Sequence, residues 1–478
     1  MDSHRFARTL VPSEEAKAQV MVRRLKRDLP PKWDGTPRFP ERDLDHPLVV
    51  TYDDATRAAY AKLDQYAQSR RETLSSQVTL AGIAPSRAAD FVVTLLKRRF
   101  LSSPKAFANT VEAHLKTMTA RERQGDAERD YDRGAHSVAE KILATMIEQL
   151  DEAAEDDAAY EEAAKAALAT ARRFAPPLSP AEQKLLEDLQ GWALRNSDKA
   201  DGKFTVFLNW LRAIVQPGNV DGANRHGVNE RWDGERVIVF TEYRDTQRWL
   251  HERLIGAGVP NEAIAQLYGG QDRDERERVK SVFQDSPDAD PVRILLATDS
   301  ASEGINLQNY CHRVLHWEIP WNPNRLEQRN GRVDRHGQSA AKVEIVHFVP
   351  SGWDRDREED TGFAEGTLED AMAFLGVAVR KVDQIRTDLG SAGEVIASQV
   401  EQKMLGKRSS WQTTDKEIQQ RAGKAVLKIE RNLAHDLQQA QDQLTQTRSE
   451  LNLNPDTVER VVRTALRLAH NKDLIDAP

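Results

Sequence analysis

Between residues 236 and 348, five short apolar runs alternate with charged stretches, and this alternation constrains the fold more than any other feature of the chain. The runs are Arg236–Phe240, Ala263–Tyr268, Val292–Thr298, Arg313–His316 and Val343–Phe348. Each is β-branched or aliphatic and too short for a stable helix, so it reads as a strand. The stretches Asp245–Leu254, Asp272–Phe283 and one from about Asn324 carry helical patterns. Runs apolar on every residue are buried on both faces, which is the habit of parallel strands. Strands alternating with helices predict an α/β lobe with a parallel sheet and right-handed crossovers. Ligands of such sheets bind beyond the carboxyl ends of the strands. The loops after Phe240, Thr298 and His316 lie at those ends, the first of them beginning Thr241-Glu242-Tyr243.

Residues 328–338 read Gln-Arg-Asn-Gly-Arg-Val-Asp-Arg-His-Gly-Gln. Arg332 and Arg335 stand three apart, and on a helix that spacing puts both side chains on one face. An arginine keeps its proton and offers a planar fork of donors that suits phosphate oxygens. Two such groups aimed at one anion are suited to stabilising a transferring phosphoryl group. The plainer alternative is a solvated, salt-bridged helix in which Glu327 and Asp334 pair with these arginines.

The pattern Q-x-x-G-R-x-x-R closely resembles motif VI of superfamily-two helicases, and its extension to R-x-G-Q resembles the Swi/Snf-type branch. The segments from Arg236 and from Val292 resemble motifs IV and V of the same C-terminal RecA-like lobe, in order, so that the resemblance covers about residues 231–350. It implies a nucleic-acid-dependent ATPase that couples ATP hydrolysis to translocation on DNA, duplex rather than single-stranded. Gln328 would orient the γ-phosphate, and Arg332 and Arg335 would neutralise charge in the transition state. Gly304, Asn306 and Gly331 would serve the nucleotide, while Thr298, with Thr241 and Tyr243, would grip backbone phosphates. The implied cofactor is ATP with Mg²⁺, the metal being held mainly by a first lobe. Glu303 departs from the family, where arginine or glycine is common, and a carboxylate there would repel phosphate. Trp317 and Trp321, in the same region, read as packing residues rather than base-stacking ones.

A complete enzyme of this type needs a phosphate-binding loop, G-x-x-x-x-G-K-[ST], and no such string occurs. Gly406-Lys407-Arg408-Ser409 lacks the upstream glycine and a preceding strand, and Asp151-Glu152-Ala153-Ala154 imitates a D-E-x-x box only within an acidic helical stretch. Val20–Lys32 resembles the segment that joins the two lobes in Swi/Snf-type ATPases, so a first lobe is expected in the same parent protein or an adjacent polypeptide. The expected organisation is a linker over 1–51, a helical insertion over 52–230, the RecA-like lobe over 231–350 and a C-terminal helical region over 351–478. Within the insertion, Ser179 and Glu182 form a capping box after Ala175-Pro176-Pro177. The leucines at 437, 444 and 451 are spaced for a short coiled coil or an ordinary helical hairpin. The Leu-Leu-Lys-Arg-Arg-Phe-Leu-Ser-Ser-Pro stretch ending at Pro104 is similar to prokaryotic members of the group. These include the RNA-polymerase-recycling ATPase and the helicase subunit of DISARM phage-defence systems. The Leu25–Pro40 stretch and the large insert favour the second.

The composition excludes some alternatives. No apolar run approaches the roughly 20 residues needed to cross a membrane, and the lone Cys311 leaves no internal disulfide framework, which fits a reducing cytoplasm. No C-x-x-C or H-E-x-x-H spacing suggests a protein metal site. A net charge of −8 is unlike that of a nucleic-acid binder, but it is unevenly spread. Glu148 to Glu162 holds acidic residues at 148, 151, 152, 155, 156, 157, 161 and 162 with no base, whereas Arg23–Arg27 and Lys97–Arg99 are basic. A basic cleft can hold a phosphate backbone on a molecule of net negative charge, although such clusters are also common on plain solvated surface. Two other readings stay open: a non-enzymatic scaffold that kept the lobe for docking and nucleic-acid binding, and a strand-separating helicase rather than a translocase.

Overall fold

The computed structural model describes residues 35, 37–75, 84–119, 157, 161–164, 166, 168, 177–215, 234–299, 305–357, 360–384, 389–407 and 463–464. Contacts divide the chain into two units, and every element named below lies in the unit that spans Arg23–Gln412. Gly304, the acidic residues before Asp157, the arginines at 23, 24 and 27 and the leucines at 437, 444 and 451 fall outside the described residues.

The strands form where the apolar runs predict them. β3 (Val237–Thr241), β4 (Ile264–Leu267), β5 (Ile294–Thr298), β6 (Arg313–His316) and β7 (Lys342–Val346) belong, with β1 (Glu41–Asp43), to a six-stranded sheet of order β1-β7-β6-β3-β5-β4. Every neighbouring pair in it is parallel. Both faces are buried, and the side chains of each strand alternate between two cores as the pleat requires. Val237, Val239, Ile294 and Leu296 enter one core, and Ile238, Phe240, Leu295 and Ala297 enter the other. α6 (Arg244–Gly256) and α7 (Arg273–Gln284) form the crossovers, with Asp272 capping α7 through the Asp274 and Glu275 amides. Cys311 lies buried in the second core, where burial pushes its thiol up to about 12.

Two differences from the sequence expectation concern the sheet. The run Val343–Phe348 is two strands: β7 stays in the large sheet, and β8 (Phe348–Pro350) leaves it after His347. The segment expected as linker also supplies strands. β1 (Glu41–Asp43) pairs with β7 at the edge of the large sheet, and β2 (Leu48–Val50) pairs with β8. At three residues each, with Glu-Arg-Asp in the first, they carry no periodic signal.

The insertion is helical where described: α1 (Asp54–Ser75), α2 (Ala84–Ser102), α3 (Pro104–Thr119), α4 (Pro180–Asn196) and α5 (Gly202–Val215). Ser179 and Glu182 form both bonds of the predicted capping box at α4. Phe204, Phe207 and Leu211 of α5 share one continuous core with Trp249 of α6 and with β3 and β5, so the insertion packs on the lobe rather than forming a separate body. Trp317 sits at the centre of this junction. It is fully buried between Phe207 and Phe348, with its indole N–H donating to the Ser102 carbonyl at 2.8 Å. Trp321 is buried too, with Arg98 over its ring, and both tryptophans pack as the sequence implies. α8 (Pro323–Asn330) follows β6, and α9 (Leu368–Gln384) and α10 (Leu389–Met404) follow β8. Gly406 ends α10 with φ +65° and follows no strand, which removes the imitation of a phosphate loop there. No described helix is long and apolar enough to cross a membrane.

Candidate functional site

The carboxyl ends of β3, β5 and β6 gather Thr241, Thr298 and His316 along one edge of the sheet, and α8 begins seven residues after β6 ends. Pro323 at its amino end and the Asn322 side chain bonded to the Asn324 amide start the helix. It stops at Asn330, sooner than the sequence spacing implies. Gly331 closes it, and residues 331–337 run on as consecutive turns in which Gly337 adopts φ +90°. Arg332 and Arg335 therefore lie beyond the helix and do not share a helical face, unlike the expectation from their spacing. What holds them is the turn itself. The Leu307 amide donates to the Arg332 carbonyl at 3.3 Å, Gln308 Nε2 donates to the His336 carbonyl at 3.3 Å, and Gln338 Nε2 donates to the carbonyls of Cys311 and Val333.

The acidic neighbours of these arginines bind an arginine from β1. Arg42 makes a bidentate pair with Glu327 at 2.6 and 2.9 Å and reaches Asp334 at 2.6 Å. This clamp joins the edge strand to α8 and to the turn after it. Gln328 and Arg335 are exposed, Arg332 is half-buried, and Asn306 is exposed while its carbonyl accepts from Gln284.

The sequence reading passed over Arg329, which is the best-anchored arginine of the stretch. It is 1% exposed and grips Asp299 through Nε at 2.5 Å and Nη2 at 2.9 Å, while Nη1 donates to the Glu318 carbonyl at 3.0 Å. Asp299 directly follows Thr298, so one bidentate pair fixes the end of β5 to α8. Burial, reinforced by Arg329, drives the His316 imidazole well below its ordinary range. The neutral ring then bridges Asn330 and Arg329, its Nε2 lying 2.9 Å from Asn330 Oδ1. The only sequence signal for Arg329 was its place beside Gln328, which does not distinguish an inward from an outward guanidinium.

The residues read as nucleic-acid contacts are all buried. Thr241 Oγ1 donates to Glu318 Oε2 at 3.1 Å, and Thr298 Oγ1 donates to Asp157 Oδ2 at 2.9 Å. Tyr243 lies under the guanidinium of Arg99, 3.8 Å from the ring centroid. Arg98 of α2 holds the intervening Glu242 at 2.9 and 3.1 Å. Burial opposes ionisation of Glu242, but Arg98, Arg325 and Arg329 together hold its carboxyl below the usual range. Burial raises Glu318 instead, against the pull of Arg329 and with the help of Glu242. Ser102 donates to Glu318, and Ser102 and Ser103 both bond Thr246 at the start of α6. The basic cluster Lys97–Arg99 thus serves the inside of the molecule: Lys97 and Arg99 are buried, and Lys97 pairs with Asp64 at 2.6 Å.

Residues 224–337 match the family model of the helicase conserved C-terminal domain. A stretch of 104 residues is 39% identical to the uncharacterized ATP-dependent helicase YqhH of Bacillus subtilis (strain 168), covering 22% of this chain and 17% of that protein. A stretch of 122 residues is 36% identical to the RNA polymerase-associated protein RapA of Yersinia pestis (strain Pestoides F), covering 24% of this chain and 11% of that protein. The matched part thus spans less than a fifth of either relative. Among solved structures, the C-terminal part of the Fun30 ATPase domain aligns with 77% of this chain and 100% of its own at 14% identity, with a TM-score of 0.36.

Proposed function

From the premise that residues 224–337 are a helicase conserved C-terminal domain on a RecA-like parallel sheet, we propose that the chain is the second lobe of a nucleic-acid-dependent ATPase that moves along duplex DNA. The observation that best supports this is the Arg329–Asp299 pair. It binds the strand end carrying Thr298 to the helix leading into Arg332 and Arg335, and in this reading it would couple the nucleotide-facing residues to the nucleic-acid-facing ones. In this reading a first lobe, not encoded in these 478 residues, supplies the phosphate loop and the Mg²⁺ carboxylates.

The residues present fit a nucleotide on this side. Gln328, Asn306 and Arg335 are exposed, and Arg332 is half-buried. ATP with Mg²⁺ would supply the phosphoryl group for transfer to water. Gln328 would orient its terminal phosphate, and Arg332 and Arg335 would meet the charge that develops in transfer, where preorganised donors act most strongly. The Gly331 and Gly337 turns and the glutamines at 308 and 338 hold those arginines in place. Thr298, Thr241 and Tyr243 would contact backbone phosphates, which carry no base information, so binding would be independent of sequence.

The test is steady-state ATPase activity of the chain alone and after addition of a polypeptide that carries the phosphate loop, each with and without duplex DNA. The reading expects negligible turnover alone and DNA-stimulated turnover in the pair. Robust DNA-stimulated turnover by the chain alone would overturn the shared-site reading. Tight duplex binding with no turnover in any pairing would favour a non-enzymatic scaffold.

A further inference from the structure

Asp157 sets one carboxylate oxygen on two donors from adjacent strand ends. The Gly269 amide, in the turn after β4, and Thr298 Oγ1, at the end of β5, each lie 2.9 Å from Asp157 Oδ2. β4 and β5 are sheet neighbours with Leu267 opposite Ala297, so both donors sit at one level on the carboxyl edge. A third group stands close by. The Arg244 guanidinium stacks on Tyr268, 3.3 Å from the ring centroid; burial and Arg248 work against its charge, and Tyr268 and Asp157 favour it. A backbone amide and a hydroxyl converging on one anionic oxygen, with a guanidinium in the neighbourhood, are the kinds of donor that bind phosphate in nucleic-acid complexes.

The same acidic segment is anchored a second time. Glu161 and Ala164, also among the described residues, reach the neighbouring Arg99 and Tyr243. Glu161 pairs with Arg99 at 2.6 Å, Arg99 covers Tyr243, and Ala164 packs on Tyr243. Asp157 and Ala164 thus contact two of the three residues assigned above to the nucleic-acid backbone, and Asp157 and Glu161 belong to a sequence stretch with eight acidic residues and no base between 148 and 162. We propose that Asp157 stands in for a nucleic-acid phosphate, so that its carboxylate and the duplex backbone compete for one anion site built by Gly269 and Thr298, with Arg244 in the neighbourhood. The proposal rests on the reading of Thr298 as a phosphate contact. Nucleic acid then binds only the fraction of molecules in which Asp157 has left the site, and its apparent affinity falls by that fraction.

Duplex binding by the full chain, read as fluorescence anisotropy of a labelled duplex at one fixed salt concentration, tests this. Asp157→Asn should bind about 3- to 10-fold more tightly than the wild type. Glu262→Gln, which removes one negative charge at the amino end of β4, should stay within about 2-fold of it. Placed in the Asp157→Asn background, Thr298→Val should weaken binding. If Asp157→Asn gains no more than Glu262→Gln while Thr298→Val still weakens binding, the competition is refuted and the phosphate reading of Thr298 stands. If Thr298→Val has no effect in that background, the phosphate reading fails and the competition fails with it. Glu161→Gln frees the second anchor without touching Gly269 or Thr298. It should give a smaller gain of the same sign, and it carries the test if Asp157→Asn does not fold; no gain from it would then overturn the proposal.

Discussion

Two groups of candidate site residues differ in how they meet solvent. On the side of α8, Gln328, Asn306 and Arg335 are exposed and Arg332 is partly so, held by backbone bonds and buried glutamines beneath them. On the side of β3 and β5, Thr241, Tyr243 and Thr298 are buried under side chains of the insertion or under Glu318. One group stands open to a ligand and the other is closed by the protein itself. If the proposed roles hold, nucleotide chemistry needs little rearrangement within this lobe, whereas nucleic-acid contact needs the side chains that cover Thr241, Tyr243 and Thr298 to move.

The largest test of this contrast is kinetic. In a pair restored with its first lobe, Arg332→Ala or Arg335→Ala should lower kcat by about 10³-fold or more with duplex affinity nearly unchanged. ATPase kinetics beside duplex binding measure both, and an unchanged kcat with lost DNA binding would reverse the assignment of the two groups. Next comes Arg329→Ala, which removes the bidentate partner of the part-buried Asp299 and the donor to the Glu318 carbonyl and should cost about 1–3 kcal/mol of stability. Chemical denaturation reads the loss, and a cost near zero would mean that the two groups are not joined through this pair. Smaller is Thr298→Val, expected to weaken duplex binding several-fold while basal hydrolysis in the restored pair falls less.

The smallest effect is one of pH. Burial lowers His347 to about 4 and His114 to about 3, the second bonded to the Tyr66 hydroxyl at 2.7 Å. Both lie below the unfolded histidine value of about 6.5. Between those limits the unfolded chain binds more protons than the folded one, so stability is full above about pH 6.5 and falls as the pH drops toward 4. Thermal melts from pH 7.5 to 5 should show the decline, and His114→Gln should flatten part of it. An equal slope in that variant would remove His114 from the account.

The sheet was legible because parallel strands buried on both faces leave continuous apolar runs, and Val237–Phe240 and Ile294–Ala297 are such runs. Ser179 and Glu182 were legible because a capping box is local. The burial of Thr241, Tyr243 and Thr298 was not, since it depends on Asp157, Arg99 and Glu318, which come from distant parts of the chain. The end of α8 was missed for a different reason. Gly331 is helical in its own dihedrals, and the turns after it are fixed by Leu307 and Gln338 rather than by local sequence. Arg42 gave no signal at all, because its partners Glu327 and Asp334 lie almost 300 positions downstream.

That separation also sets a timetable for synthesis. Arg42 and Asp334 are 292 residues apart in the chain, and β1 and β2 find their partner strands only in β7 and β8. At ribosomal rates of about 5–20 residues per second, the first strands wait roughly 15–60 s for their partners to be made. During that interval the early helices can collapse on one another through local contacts, while Glu41–Asp43 and Leu48–Val50 remain unpaired. The polar Glu-Arg-Asp of β1 suits the delay, since a charged three-residue strand is a poor template for pairing with a neighbouring nascent chain.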